Sequence, residues 1–152
     1  MIKRFWVILT ITTVANFASQ AQTSQDSIKA VINSLFSGMQ KADSAMVKNA
    51  FTPFAIMQDI QMGSEGVKSV NNSKPEDFAR SIGQAKPGML DERIEYASIL
   101  IDGDMAAVWT PYKFYVNGKL SHCGVNSFQL VRLKEGWRIQ YIIDTRRRAG
   151  CE

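Results

Sequence analysis

The sequence predicts an α+β domain in which N-terminal helices pack on a strongly curved, mainly antiparallel sheet. Three observations carry this. Apolar residues recur at helical spacing chiefly between Ser24 and Ala50. From Glu92 onward the pattern turns to alternating and apolar strand-like runs. Those runs are punctuated by Asp102-Gly103, Asn117-Gly118 and Lys134-Glu135-Gly136, all turn formers. Helices followed by such a meander make one layer of helix and one of sheet.

The elements follow in order. Ile28, Val31, Ile32, Leu35, Phe36 and Met39 share one helix face, with Thr23 or Ser24 available to cap the start. Asp43 reads as the cap of a second, short helix carrying Met46, Val47 and Ala50. Thr52-Pro53 ends it, because the residue before proline avoids helical backbone. Phe54 to Met62 reads as a first strand, and polar Gly63 to Asn72 as a loop or a frayed edge hairpin. Ser73-Lys74-Pro75-Glu76 has the form of a capping box, opening a helix through Phe78, Ala79 and Ile82 that stops at Gly83. A loop then runs to Asp91. Strands are expected over Glu92–Ile101, Met105–Val116, His122–Leu133 and Trp137–Asp144. Pro111 lacks a ladder donor, so a bulge is expected there, and a bulge bends a sheet around a hollow.

Residues 1–21 read as a leader rather than as part of this domain. Lys3 and Arg4 precede an apolar run from Phe5 to Phe17, and Ser19-Gln20-Ala21 suits a signal peptidase. The run is shorter than the ~20 residues of a membrane span. The expectation is an exported domain over 22–152, periplasmic or secreted, with no membrane attachment in the mature form. Loss of Lys3 and Arg4 lowers the net charge from +4 to +2. With signs scattered, that gives no electrostatic footprint for nucleic acid. Arg146-Arg147-Arg148 reads as a solvated tail. Cys123 and Cys151, an even count in an exported chain, predict a disulfide.

The stretches "LDERI" and "VWTPYKFYVNGKLSHCGVNSFQLVRLKEGWRIQYIIDTRRRAGC" add a resemblance. Together with the element order, they are similar to the nuclear transport factor 2-like superfamily. That superfamily includes ketosteroid isomerase, SnoaL-like cyclases and a branch of small exported proteins of lumazine-binding type. The resemblance implies a cone of three helices and a curved sheet, a pocket between them, and a homodimer through the open sheet face. It leaves function open, because this fold carries isomerases, hydrolases, dehydratases, binders and plain dimerisation modules.

Residues two apart on a strand share a face, so His122, Asn126 and Phe128 look one way, with Gly124 leaving a gap. With a bulge at Pro111, Trp109, Tyr112 and Phe114 join them. These six are the predicted ligand-binding residues, an aromatic wall with few polar groups that suits a small apolar or aromatic organic molecule. His122, Tyr112 and Asp59 are the candidate catalytic residues of an alternative, an isomerase, dehydratase or hydrolase. There His122 or Asp59 is the base, and Tyr112 polarises a carbonyl as the resemblance to ketosteroid isomerase implies. A third reading is a dimerisation module with its pocket plugged by Met57, Phe114 and Phe128. Glu92 and Arg93 fall near the pocket mouth in the resembling fold. Related epoxide hydrolases use an aspartate-arginine-aspartate set, but Asp144 and Arg146 read as a surface ion pair. His122 and Cys123 are adjacent, so they point to opposite faces and make no nucleophilic pair. One histidine and two cysteines have no zinc spacing. No metal or other cofactor is expected.

Overall fold

A computed structural model describes residues 11–62 and 68–151, with side chains over 24–61 and 69–151. The elements are α1 (Ile11–Lys41), α2 (Ser44–Asn49), β1 (Phe51–Met62), β2 (Lys68–Ser73), α3 (Pro75–Gly83), β3 (Leu90–Ile94), β4 (Ser98–Asp102), β5 (Met105–Val116), β6 (Lys119–Leu133) and β7 (Gly136–Arg147). The sheet runs β2-β1-β7-β6-β5-β3, with β4 also paired to β5. Only β1 and β7 are parallel; every other pair is antiparallel. Helices on one face of a curved, mostly antiparallel open sheet make the expected α+β architecture. Among the described residues no helix is long and apolar enough to cross a membrane.

The predicted face of α1 supplies Ile28, Ile32, Leu35, Phe36 and Met39 to the core. Val108, Phe128, Leu130, Trp137, Ile139 and Ile142 meet them from the sheet. Asp43 caps α2 through its side chain, which accepts from the Met46 amide at 2.9 Å. Gly38 lets α2 lie close, since a Cβ there would sit 3.0 Å from the Val47 backbone nitrogen.

Several boundaries differ from the sequence expectation. Helix α1 includes Ile11 onward, inside the expected leader; residues 1–10 of that leader lie outside the described residues. Thr52-Pro53 falls within β1 rather than in a break before it. Of the two readings of the polar segment before α3, the edge hairpin holds: β2 pairs with β1 over Lys68–Ser73, and the first part, 63–67, lies outside the described residues. Ser73 therefore closes a strand and does not cap. The N-cap of α3 is Lys74, with no side-chain capping bond, and Pro75 supplies the ready-made first turn.

The irregularity expected at Pro111 sits in the neighbouring strand instead. Strand β5 pairs with β6 without a shift from Met105 to Phe114. Ile94 pairs with Tyr112 and Ser98 with Trp109, so residues 95–97 face only residues 110–111. The expected single strand Glu92–Ile101 is thereby split into β3 and β4. The reason is directional. The Pro111 carbonyl accepts from the Glu95 amide, so its missing N–H also faces β3 and β4. The ladder to β6 is untouched, and the extra residue accumulates on the side that lost a donor.

Candidate functional site

The curved inner face of the sheet and the helices above it enclose a cavity of about 270 Å³. Leu35, Phe36 and Met39 of α1 and Phe78 and Ile82 of α3 form its apolar roof. Its floor is polar. Asp59 of β1, Asp144 and Arg146 of β7, His122 and Asn126 of β6, Tyr112 of β5 and Glu92 of β3 all line it. Register explains the convergence: Asp59 lies beside Asp144, Asp144 beside Asn126, and His122 beside Phe114, which itself neighbours Glu92.

Glu92 is the central group. Its carboxylate accepts a 2.8 Å hydrogen bond from the Asn126 side-chain amide. The residue keeps some exposure through the cavity, but its carboxyl is enclosed by protein. Burial pushes its pKa up to about 7; the Asn126 bond opposes this and the Asp144 charge adds to it. Burial also raises the Asp144 carboxyl, while Arg146 restrains it through a two-pronged contact of 3.1 and 3.4 Å. His122 stands against the rings of Phe114 (4.9 Å) and Tyr112 (5.7 Å). Burial, and after it the positive charge of Arg146, lowers its pKa, so the imidazole is neutral at neutral pH. Burial raises the Tyr112 phenol, whose hydroxyl donates to the Thr145 carbonyl at 3.0 Å. The site thus holds a carboxyl that changes charge near neutrality, a neutral imidazole and an ion-paired aspartate, beneath an apolar roof.

No protein-family model matches the chain, and no curated protein matches it. Solved structures do. A protein of unknown function from Shewanella baltica OS155, described as nuclear transport factor 2-like, superposes with a TM-score of 0.67 at 16% identity, over 84% of this chain and 96% of that one. One from Novosphingobium aromaticivorans, with a cystatin-like fold, gives 0.65 at 14% identity, over 90% and 92%. A proposed dehydratase of the same family from Streptomyces avermitilis gives 0.62 at 14% identity, over 85% and 99%. The fold is nuclear transport factor 2-like. A fold of this kind does not by itself fix a function. The finer likeness to an exported lumazine-binding-type branch has no support among these matches.

On this nuclear transport factor 2-like frame the predicted residues separate. Tyr112, Phe114, His122 and Asn126 line the cavity, as does Asp59. Trp109 does not. Without a bulge in β5 it lies on the face opposite Tyr112, where it is 49% exposed. Phe128 faces inward but lies fully buried in the core, edge-on to Phe36 at 6.3 Å. Phe114 and Met57 line the cavity without closing it. The gap expected over Gly124 is filled by the Tyr112 ring. A Cβ at Gly124 would come within 2.8 Å of that ring and overlap the Thr145 carbonyl. Arg93 turns away to pair with Asp91 at 2.8 Å and to stack on Tyr115.

Asp144 and Arg146 are the main correction. They are cavity groups rather than a plain surface pair, and the cause is a bulge. Leu130 pairs with Ile139 but Gln129 with Tyr141, which leaves Gln140 extra on β7. Counting by twos from the buried Ile139 would turn Asp144 and Arg146 outward. The extra residue reverses the phase, so Ile142, Asp144 and Arg146 all face in. Glu92, expected near the pocket mouth, lies on the cavity floor, in phase with the half-buried Leu90 and Ile94.

Cys123 and Cys151 are joined in a disulfide, with Cα atoms 5.6 Å apart. It lies on the side of β6 away from His122 and ties the segment after β7 back to that strand.

Proposed function

We propose that the chain is an exported protein that holds a small, partly apolar organic molecule in this cavity. The ligand's body lies under the α1 and α3 roof and its polar group meets Glu92, Asn126 and His122. The carrying observation is the Glu92–Asn126 hydrogen bond on the polar floor of a cavity roofed by apolar side chains. A protonated Glu92 donates to a carbonyl or hydroxyl oxygen; an ionised one accepts from a hydroxyl. The disulfide supports an oxidising compartment, which fits export. A homodimer through the outer sheet face belongs to the same reading, and light scattering of the purified chain tests it.

Native mass spectrometry against a denatured spectrum tests the binding. A small molecule released on denaturation, and absent from Glu92→Gln and Asn126→Ala preparations, is the expected outcome. A molecule that co-purifies equally with both variants sinks the assignment.

A second reading, acid–base catalysis, is favoured by one further observation. Glu92 changes charge near pH 7 in the same cavity as Asp144, so one carboxyl can carry a proton while the other stays ionised. The dehydratase proposed for the Streptomyces relative is compatible with this. Turnover in a dehydration or isomerisation screen, lost in Glu92→Gln, would select the enzyme.

A further inference from the structure

The cavity does not end at its polar floor. A second, open basin, lined by Gln61, Ser121, His122 and Arg146 to Arg148, adjoins it and shares His122 and Arg146 with it. His122 and Arg146 thus stand at the opening where the two hollows meet.

Their charges are opposite. The inner hollow holds three carboxyl groups, Glu92, Asp59 and Asp144, against the single guanidinium of Arg146. Among the described residues the outer one is lined by arginines and by no carboxylate. Arg146 is partly spoken for by Asp144, but Arg147 and Arg148 have no carboxylate partner among the described residues. Arg146 and Arg148 both lower the basicity of His122, which puts both guanidinium charges within electrostatic reach of the opening. This is not the arrangement of a free tail. Arg147 is paired with Cys123 across the β6–β7 ladder, and the Cys151 disulfide returns the chain to that same residue. The arginines are thereby held beside the cavity.

We infer that the molecule taken by this cavity is an organic anion, bound with its apolar, charge-free end inward and its carboxylate or similar anionic head on Arg146 and Arg148 at the opening. The inference rests on the binding reading above and adds the ligand's class and direction. An anionic head placed inward would meet Glu92, Asp59 and Asp144. Placed outward it meets guanidinium groups, whose planar forks match carboxylate geometry. The neutral polar group of the same molecule is then the one that meets Glu92 and Asn126.

Two fluorescent probes of one skeleton test this. They are 8-anilinonaphthalene-1-sulfonate, an anion, and N-phenyl-1-naphthylamine, its uncharged counterpart. Each is titrated into the full, oxidised mature chain at low ionic strength. The expected result is tighter binding of the sulfonate, by about tenfold, falling toward parity as salt rises. Arg148→Glu, an exposed position outside the core, is expected to remove that preference and leave the neutral probe unchanged. Ser81→Trp, on the exposed rim of α3, is expected to exclude both probes. Equal affinities in the native chain, or a preference that survives Arg148→Glu, overturn the anion inference and leave the cavity reading standing. Binding of both probes undiminished by Ser81→Trp sinks the cavity reading, and the anion inference with it.

Discussion

At the scale of single residues, Glu92 decides most of the chemistry. Its folded pKa, about 7, exceeds that of an ordinary glutamate because enclosure disfavours the charged form. The folded state therefore holds a proton that the unfolded state gives up near pH 4.5. Stability from this group is fully present below pH 4.5 and is lost as pH rises through 7. Chemical denaturation at pH 5 and pH 8 is expected to differ by on the order of 2 to 3 kcal/mol from this carboxyl. Glu92→Gln is expected to flatten that difference; an unchanged slope would mean the carboxyl is solvated. Gly124 carries a steric demand of another kind. Gly124→Ala sets a methyl against the Thr145 carbonyl and the Tyr112 ring, and is expected to destabilise by about 3 kcal/mol in a denaturant titration. Tyr112→Phe loses only the bond to Thr145, so about 1 kcal/mol is expected there. Glu92, Asn126 and His122 could each be picked out as polar residues in strand-like sequence. Their meeting in one cavity could not, because it depends on which strands become neighbours.

At the scale of elements, two single-residue irregularities set the faces. The extra residue opposite Pro111 splits β3 from β4, while β5 itself keeps its phase and so leaves Trp109 outside. The extra residue at Gln140 turns Asp144 and Arg146 inside. A strand alternates with period two, so one inserted residue reverses everything after it. Trp109→Ala is accordingly expected to leave binding of either naphthylamine probe unchanged, whereas Asn126→Ala weakens the neutral one; the same fluorescence titration reads both. The disulfide acts at this scale too. It closes a 28-residue separation, so Cys123→Ser/Cys151→Ser is expected to cost about 3 kcal/mol in the chain-entropy picture, measured as a denaturation midpoint.

At the scale of the whole molecule, the helices cover one face of the sheet and leave a hollow where its curvature draws it away from them. The other face carries exposed Trp109, Met105 and Leu100. For the chain as a cell would make it, the intact mass of exported protein is expected to match a start near Gln22 with both thiols oxidised. A full-length mass, or two free thiols, would remove the export reading.

Legible from the residues alone were the class of fold, the helix face that meets the sheet, the last three strands and the pairing of the two cysteines. These are local or near-local properties: helical period, turn chemistry, and the opposed directions of neighbouring side chains on a strand. Which face each strand end presents, and which strands lie side by side, depended on contacts between distant parts of the chain. Bulges reverse a face without a reliable mark in the sequence, and β1 joins β7 in parallel across most of the chain's length. That non-local pairing brings Asp59 beside Asp144. The bulge at Gln140 turns Asp144 inward, into the cavity that also holds Glu92.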